Sequence, residues 1–224
     1  MKIGVYDIKK KYGKKTVLDG VSFETESSRI VGILGVNGSG KSTLLGILSG
    51  VIGADSGDFT ADGTSLFKDR TKRESTVGYI PQGTPLIEEL SARDNLLLWY
   101  SKDAMKAELE RGVLKMLGID EFIGVRVSRM SGGMKKRLSI GCAVANSPEV
   151  ILLDEPTSAL DVLCREEIRS YLVKFKEAGG IAILATHDLS EIDLCDDVYV
   201  LKDGKLIRID RDTDGGDISE ILKK

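Results

Sequence analysis

The sequence is short of several things, and each shortage removes a class of function. Its cysteines are three (Cys142, Cys164 and Cys195) in 224 residues, widely spaced and with no C-x-x-C among them. Such a set is read as reduced residues of a cytosolic protein, packed in or near the core. No apolar run approaches the ~18 residues of a membrane span, and Met1-Lys2-Ile3-Gly4-Val5 opens no signal peptide. The chain is therefore expected to be soluble by itself. Excess charge of one sign is missing too: the net charge is −3, with acids and bases mixed. A nucleic-acid partner, which wants clustered excess base, is not expected. The basic opening Lys9-Lys10-Lys11 and Lys14-Lys15 reads as a solvated edge. There is no internal repeat and no low-complexity tract. A chain of this length makes one large domain, or one with a subdomain, and its core buries about 70% of the extended-chain surface.

What is present is concentrated in one stretch. Gly35-Val36-Asn37-Gly38-Ser39-Gly40-Lys41-Ser42-Thr43 fits G-x-x-x-x-G-K-[ST], a phosphate-binding loop. Glycines let the backbone turn so that consecutive N–H groups face phosphate oxygens. Lys41 adds a mobile charge for the β- and γ-phosphates, and the Ser42 hydroxyl can ligate Mg²⁺. The apolar run Ile30 to Leu34 before it reads as a buried strand. Leu44 to Leu48 after it continues as a helix, whose N-terminus favours an anion. An accidental match in a chain this long has odds on the order of one per cent. The flanking strand and helix lower them further. The sequence holds a nucleotide-triphosphate site.

Around that loop the chain reads as an α/β protein. Ile3 to Ile8 and Val21 to Glu24 alternate as strands, with Gly13 and Asp19-Gly20 as turn signals between them. Strand character returns at Gly57 to Thr60 and at Val77 to Ile80, and these strands fit an antiparallel layer beside the nucleotide core. Tyr12 stands where an aromatic could stack on an adenine, and equally well as an ordinary edge-strand tyrosine. From Glu88 to about Asn146 the pattern turns helical. Ser91 is an N-cap for Ala92 to Tyr100, Asp103 one for Ala104 to Leu117 with Gly118 as the stop, and a further helix runs from Ser131 towards Ala145. Trp99 and Leu96-Leu97-Leu98 are expected in the core. Apolar strands then alternate with helices: Val150 to Leu153, a helix from Val162 to Ala178 ended by Gly179-Gly180, Ile181 to Ala185, and a short helix from Leu189. A hairpin turns at Asp203-Gly204, and Asp210 to Asp217 is a loop or frayed tail. The fold class is a P-loop core with a mainly parallel sheet, an antiparallel β-subdomain and an inserted helical subdomain. The division expected is residues 1–87 and 147–224 for the core, and 88–146 for the helical insert.

Two further constellations belong with the loop. Val150 to Leu153 ends in Asp154-Glu155, two carboxylates at the C-terminal end of a buried strand, the edge where ligands bind in an open parallel sheet. Asp154 can hold Mg²⁺ opposite Ser42, and Glu155 can face the γ-phosphate as a general base. Ser131-Gly132-Gly133, just ahead of a helix, is a second anion site by geometry. Two phosphate sites in one chain make sense if two copies face head to tail, each Ser-Gly-Gly covering the other's nucleotide.

Taken together, these segments resemble the ATP-binding subunit of an ABC (ATP-binding cassette) transporter over nearly the whole chain. Gly35 to Thr43 resembles the Walker A loop, Gln82 after Tyr79-Ile80-Pro81 the Q-loop, and Ser131-Gly132-Gly133 the signature. Ile151 to Glu155 resembles Walker B, Ser158-Ala159-Leu160-Asp161 the D-loop, and His187, the one histidine in the sequence, the switch histidine. The resemblance implies ATP and Mg²⁺ as cofactors. It implies catalytic roles for Glu155, His187, Lys41 and Gln82, and metal contacts from Ser42, Gln82 and Asp154. Nucleotide contacts are implied for Tyr12, for Gly35, Asn37, Gly38, Ser39, Gly40, Lys41, Ser42 and Thr43, and for Ser131, Gly132, Gly133 and Asp161. Its partners would be membrane-spanning permease subunits and a second copy or paralogue. The protein would lie in the cytoplasm, peripheral on the inner face of the membrane, with Gln82 and Thr84 to Tyr100 as the coupling surface.

The family's commonest signature, Leu-Ser-Gly-Gly-Gln, appears here as Met130-Ser131-Gly132-Gly133-Met134, followed by Lys135-Lys136-Arg137. That variant resembles the export-type branch, and the serine and both glycines are intact. Nothing after the hairpin is long enough for an appended regulatory domain. The rival readings are a soluble ABC ATPase, such as an iron–sulfur assembly type, and a nucleotide-dependent regulatory subunit that does not turn over. Intact Lys41, Glu155 and His187 argue against the latter.

Overall fold

The computed structural model describes residues 1–158 and 160–209. In chain order its strands are β1 (Lys2–Tyr12), β2 (Lys15–Glu26), β3 (Arg29–Leu34), β4 (Ser56–Ala61), β5 (Thr64–Ser65), β6 (Val77–Ile80), β7 (Val150–Asp154), β8 (Ile181–Thr186), β9 (Asp197–Lys202) and β10 (Lys205–Ile209). Its α-helices are α1 (Lys41–Ser49), α2 (Arg70–Thr76), α3 (Ala92–Leu96), α4 (Lys102–Arg111), α5 (Val113–Met116), α6 (Gly132–Ala143) and α7 (Val162–Glu177). The strands form two sheets, a four-stranded one in the order β2-β1-β4-β5 and a six-stranded one in the order β10-β9-β3-β8-β7-β6. The first is antiparallel throughout. The second is parallel except for the edge hairpin β9–β10.

The central strands are apolar on both faces because both faces are covered. Along β3, Ile30 and Leu34 pack with α3, α6 and α7 on one side, and Val31 and Ile33 pack with α1 and the antiparallel sheet on the other. β7 divides the same way, with Ile151 and Leu153 against Val150 and Leu152. This is the period-two alternation of a strand buried between two layers. Each such side chain, fully buried, stabilises the fold by roughly 1.5–3 kcal/mol. The helices α3 to α6 enter between β6 and β7, which pair with each other, so they are an insertion at the edge of the parallel sheet.

The structure corrects several expectations. Val77–Ile80 is strand β6 of the parallel sheet, paired with β7, and not part of the antiparallel layer. Asp19-Gly20 is not a turn: it lies within β2, where Asp19 pairs with Lys9, and the Asp19 N–H donates to the Gly204 carbonyl of the β9–β10 turn. The hairpin turns only at Gly13-Lys14, with Gly13 at φ 58. In the insertion, Ser91 does cap α3, with a full capping box to Asp94, but the helix stops at Leu96. The next helix is capped by Ser101, not Asp103, and breaks at Gly112, where the Glu108 carboxylate accepts the Val113 N–H at 2.7 Å. Leu96 is buried as expected, whereas Leu98 and Trp99 are exposed, at 59% and 60%. Residues Ala159 and 210–224 lie outside the described residues, and with them part of the Ser158 to Asp161 segment and the tail reading.

Candidate nucleotide site

Parallel strands finish together, and here that puts the chemistry on one edge. In the pairing, Leu34 lies opposite Thr186, Asp154 opposite Ala185 and Ile80 opposite Leu153. The residues that follow are therefore neighbours: the loop from Gly35 after β3, Gln82 after β6, Glu155 after β7 and His187 after β8. The loop, Gln82 and Glu155 meet at a cleft of about 490 Å³ lined by Tyr12, Asn37, Gly38, Gly40, Lys41, Ser42, Thr43, Gln82 and Glu155, with Lys15 and Val17 from β2; Gly35, Ser39, Asp154 and His187 stand behind this lining.

The loop's geometry depends on its glycines at two points. Gly40, the N-cap of α1, has φ 110, and a Cβ there would stand 2.9 Å from Val17 Cγ1. A Cβ on Gly35 would meet the Leu201 carbonyl oxygen at 2.9 Å. Lys41 is buried, its ammonium donating to the Gly35 and Val36 carbonyls at 2.7 and 3.3 Å. Burial pulls its pKa down, opposed by the charges of Glu155 and Asp154.

Glu155 sits under strain. It has φ 47, a left-handed conformation unusual for a side-chain-bearing residue. Its N–H still donates to the Ala185 carbonyl at 2.8 Å, so the strand ladder runs one step past β7 before the chain reverses. The turn aims the carboxylate between two partners. Gln82 Nε2 donates to Oε2 at 3.2 Å, and His187 Nδ1 meets Oε1 at 2.8 Å. A carboxylate only accepts, so an ionised Glu155 assigns the proton to Nδ1 and leaves Nε2 for another partner. Each Glu155 oxygen keeps a lone pair.

Asp154 fits a cation. Its Oδ1 is buried with no hydrogen-bond partner, and its pKa is raised by burial, partly offset by the hydrogen bond from Ser42. A divalent ion held by one hydroxyl and one carboxylate, with phosphate and water completing the shell, would satisfy that oxygen.

Tyr12 ends β1 at the cleft, 49% exposed, with the Lys10 ammonium 5.5 Å from its ring centre. A ring with so little packing to lose can be removed without harming the fold. Tyr12→Ala is expected to weaken ATP binding about 5- to 150-fold, the effect of losing roughly 1–3 kcal/mol of base stacking, with unchanged thermal unfolding. Titration calorimetry giving the parent affinity would assign the stacking to another residue.

Other expected site residues are elsewhere. Ser131 and Gly132 are exposed and Gly133 buried at the start of α6, with the Ser131 hydroxyl capping the Met134 N–H at 3.2 Å. Asp161 caps α7 by accepting the Cys164 N–H at 2.9 Å. Among the described residues, none of these four lines the cleft. Sequence reading missed Lys15 and Val17. The signal was available in outline, since a hairpin that delivers Tyr12 to the cleft delivers the first residues of its second strand as well.

A family model for the ABC transporter matches residues 18–158. The chain belongs to the ABC transporter family. It is an ATP-binding subunit of that family and an ATPase. It is 35% identical over 223 residues to the linearmycin resistance ATP-binding protein LnrL of Bacillus subtilis, covering 94% of this chain and 71% of that protein. To the lantibiotic transport ATP-binding protein SrtF of Streptococcus pyogenes it is 31% identical over 219 residues, covering 97% of this chain and 94% of that one. A solved dimeric ATP-binding cassette in a post-hydrolysis state, bound to ADP and Pi, superposes with a TM-score of 0.81 at 30% identity, over 92% of this chain and 97% of that one. Among the described residues of this family member, no helix is long and apolar enough to cross a membrane.

Proposed function

We propose that two copies of this subunit sandwich two ATP molecules head to tail and drive export through separate membrane-spanning subunits. The observation that carries the reading is the division of the site residues. Lys41, Ser42, Gln82 and Glu155 share one cleft, while Ser131, Gly132, Gly133 and Asp161 lie outside it, available to a second chain. In each composite site, Lys41 and the N–H groups of the loop from Gly35 to Thr43 hold the phosphates, and Tyr12 stacks on the base. Glu155 takes the proton of the attacking water, and Gln82 and His187 orient its carboxylate. Ser42, Asp154 and Gln82 would hold Mg²⁺, which when bound neutralises phosphate charge. The signature residues of the partner close over the γ-phosphate, and Asp161 meets the facing chain at the same seam.

Residues 88–146 act as the helical subdomain, and Thr84 to Tyr100 is the surface that meets the membrane subunit. Exposed Leu98 and Trp99 give that segment an apolar face. Export is supported by the Met-Ser-Gly-Gly-Met signature and by the names of the relatives, which tie them to linearmycin resistance and lantibiotic transport. The subunit is then peripheral on the cytoplasmic face of the membrane, held there by its partner.

A disulfide tests the sandwich. Cys142, Cys164 and Cys195 are buried, and burial raises all three thiols, those of Cys142 and Cys195 to about 12; a background with the three replaced keeps the test to the two introduced thiols. In a Ser39→Cys, Ser131→Cys protein, mild oxidation is expected to give an intersubunit crosslink that forms only with ATP. Crosslinking that ignores nucleotide, or that stays within one chain, would remove the head-to-tail arrangement.

A further inference from the structure

The basic run after the signature contains a side chain with no task so far. Lys135 pairs with Glu88 at the surface, and Arg137 lies over the Phe122 ring, donating to the Leu117 carbonyl and pairing with Glu167; both ion pairs are at 3.0 Å. Lys136, between them on α6, is only 5% exposed. A buried ammonium is costly unless it is hydrogen-bonded and faces opposite charge. Its Nζ donates to the Pro81 carbonyl at 3.0 Å, and the carboxylates of Asp154, Glu155 and Glu191 surround it at longer range. Burial still outweighs them and lowers its pKa to about 8.

The acceptor gives this bond its meaning. The Pro81 carbonyl belongs to the peptide that joins Pro81 to Gln82, so an ammonium held on it fixes the plane from which the Gln82 side chain departs. The ladder to β7 stops at Ile80 and cannot do so. Gln82 in turn holds Glu155 Oε2. On another side, buried Glu191 is hydrogen-bonded to Thr157, in the turn that follows Glu155, and its second oxygen has no hydrogen bond. Lys136 thus stands where the signature helix, the Gln82 segment and the Glu155 turn come together.

We propose that Lys136 is a positioning residue for ATP hydrolysis, tying the signature helix of each chain to that chain's own Glu155 through the Pro81–Gln82 peptide. The inference rests on the roles given above to Glu155 and Gln82. Its consequence is a link between the two composite sites. Ser131 to Gly133 of one chain cover the partner's nucleotide, and a shift of that loop reaches the chain's own general base through this one side chain.

The test is a cycle of variants in the intact protein, reading kcat, ATP affinity and thermal unfolding. Lys136→Met keeps the length of the stem and loses the donor. It is expected to bind ATP within about threefold of the parent while kcat falls about 10-fold or more. Lys136→Arg should recover at least a third of the parent kcat. With Gln82→Ala already present, adding Lys136→Met should cost less than about twofold, because the group it positions is gone. Should Lys136→Met not fold, Lys136→Gln, whose amide is one atom short in reach, goes through the same cycle. Parent-like kcat in Lys136→Met, an undiminished loss in the Gln82→Ala background, or ATP binding lost in step with kcat would each overturn the proposal. Glu155→Gln serves as the reference. If it is inactive while Lys136→Met is fully active, only the positioning role falls; if it is active, the catalytic reading itself falls.

Discussion

Glu155→Gln is expected to bind ATP as well as the parent and to turn over ~10²–10⁴-fold more slowly, the usual loss when a general base is removed. The geometry limits the change to chemistry. The amide has the size and shape of the carboxylate, so its oxygen can still accept from Gln82 or from His187, at the positions now 3.2 and 2.8 Å away. The left-handed backbone at Glu155 is kept by the Ala185 ladder bond, which the side chain does not touch. What disappears is the capacity to take a proton from water. Electrostatics favour retained binding, because the cleft loses a negative charge beside Lys41 while the polyphosphate brings several. The variant should therefore accumulate as an ATP-bound dimer on gel filtration. Phosphate release near the parent rate would sink the assignment of Glu155 as the base, and lost ATP binding would show the residue to be structural.

Legibility of the site in the sequence followed from how local each determinant is. The phosphate loop is written in consecutive residues, and the strand before it and helix after it are where the pattern places them. Buried strands such as Val150–Asp154 and Ile181–Thr186 are legible because both of their faces are covered, which makes them continuous apolar runs. Val77–Ile80 is as short as an edge strand of either sheet, and only its pairing with Val150–Leu153, across the whole insertion, decides which. A helix start is legible where its cap has a second witness. Ser91 has Asp94 to complete its box, whereas Ser101 and Asp103 are both good caps and local chemistry does not choose between them.

Trp99 shows the opposite failure. Its neighbours Leu96 and Tyr100 are buried, but α3 ends at Leu96 and the helical period cannot be carried across the turn. The strain at Glu155 and the burial of Lys136 were not legible at all. The first is set by how β7 pairs with β8, and the second by packing of α6 against the end of β6. In a run reading Lys-Lys-Arg, nothing local tells which side chain turns inward to Pro81, which packs on Phe122 and which stays at the surface.

A mixture of two inactive proteins should regain activity if the signature acts in trans. Ser131→Arg alone puts a bulky charge in both signature loops of its dimer, where the loop must come within hydrogen-bond distance, ~3 Å, of the partner's γ-phosphate. Glu155→Gln alone removes both bases. Each homodimer thus carries its single lesion in both sites, and each is expected to be nearly inactive. A heterodimer of the two collects both lesions in one site and leaves the other intact. Random pairing of equal amounts makes half of the dimers mixed, so recovery of roughly a quarter of the parent ATPase is expected if one intact site fires independently. The arrangement also supplies its own folding control. Ser131 caps α6 through the Met134 N–H, and loss of such a cap costs about 0.5–2 kcal/mol. A Ser131→Arg chain destabilised beyond folding could not lend its intact Glu155 to the site completed by its partner's signature loop. Rescue therefore reports a folded chain and a shared site together. No rescue, combined with an absent ATP-dependent crosslink between Ser39→Cys and Ser131→Cys, would mean that each chain completes its site alone.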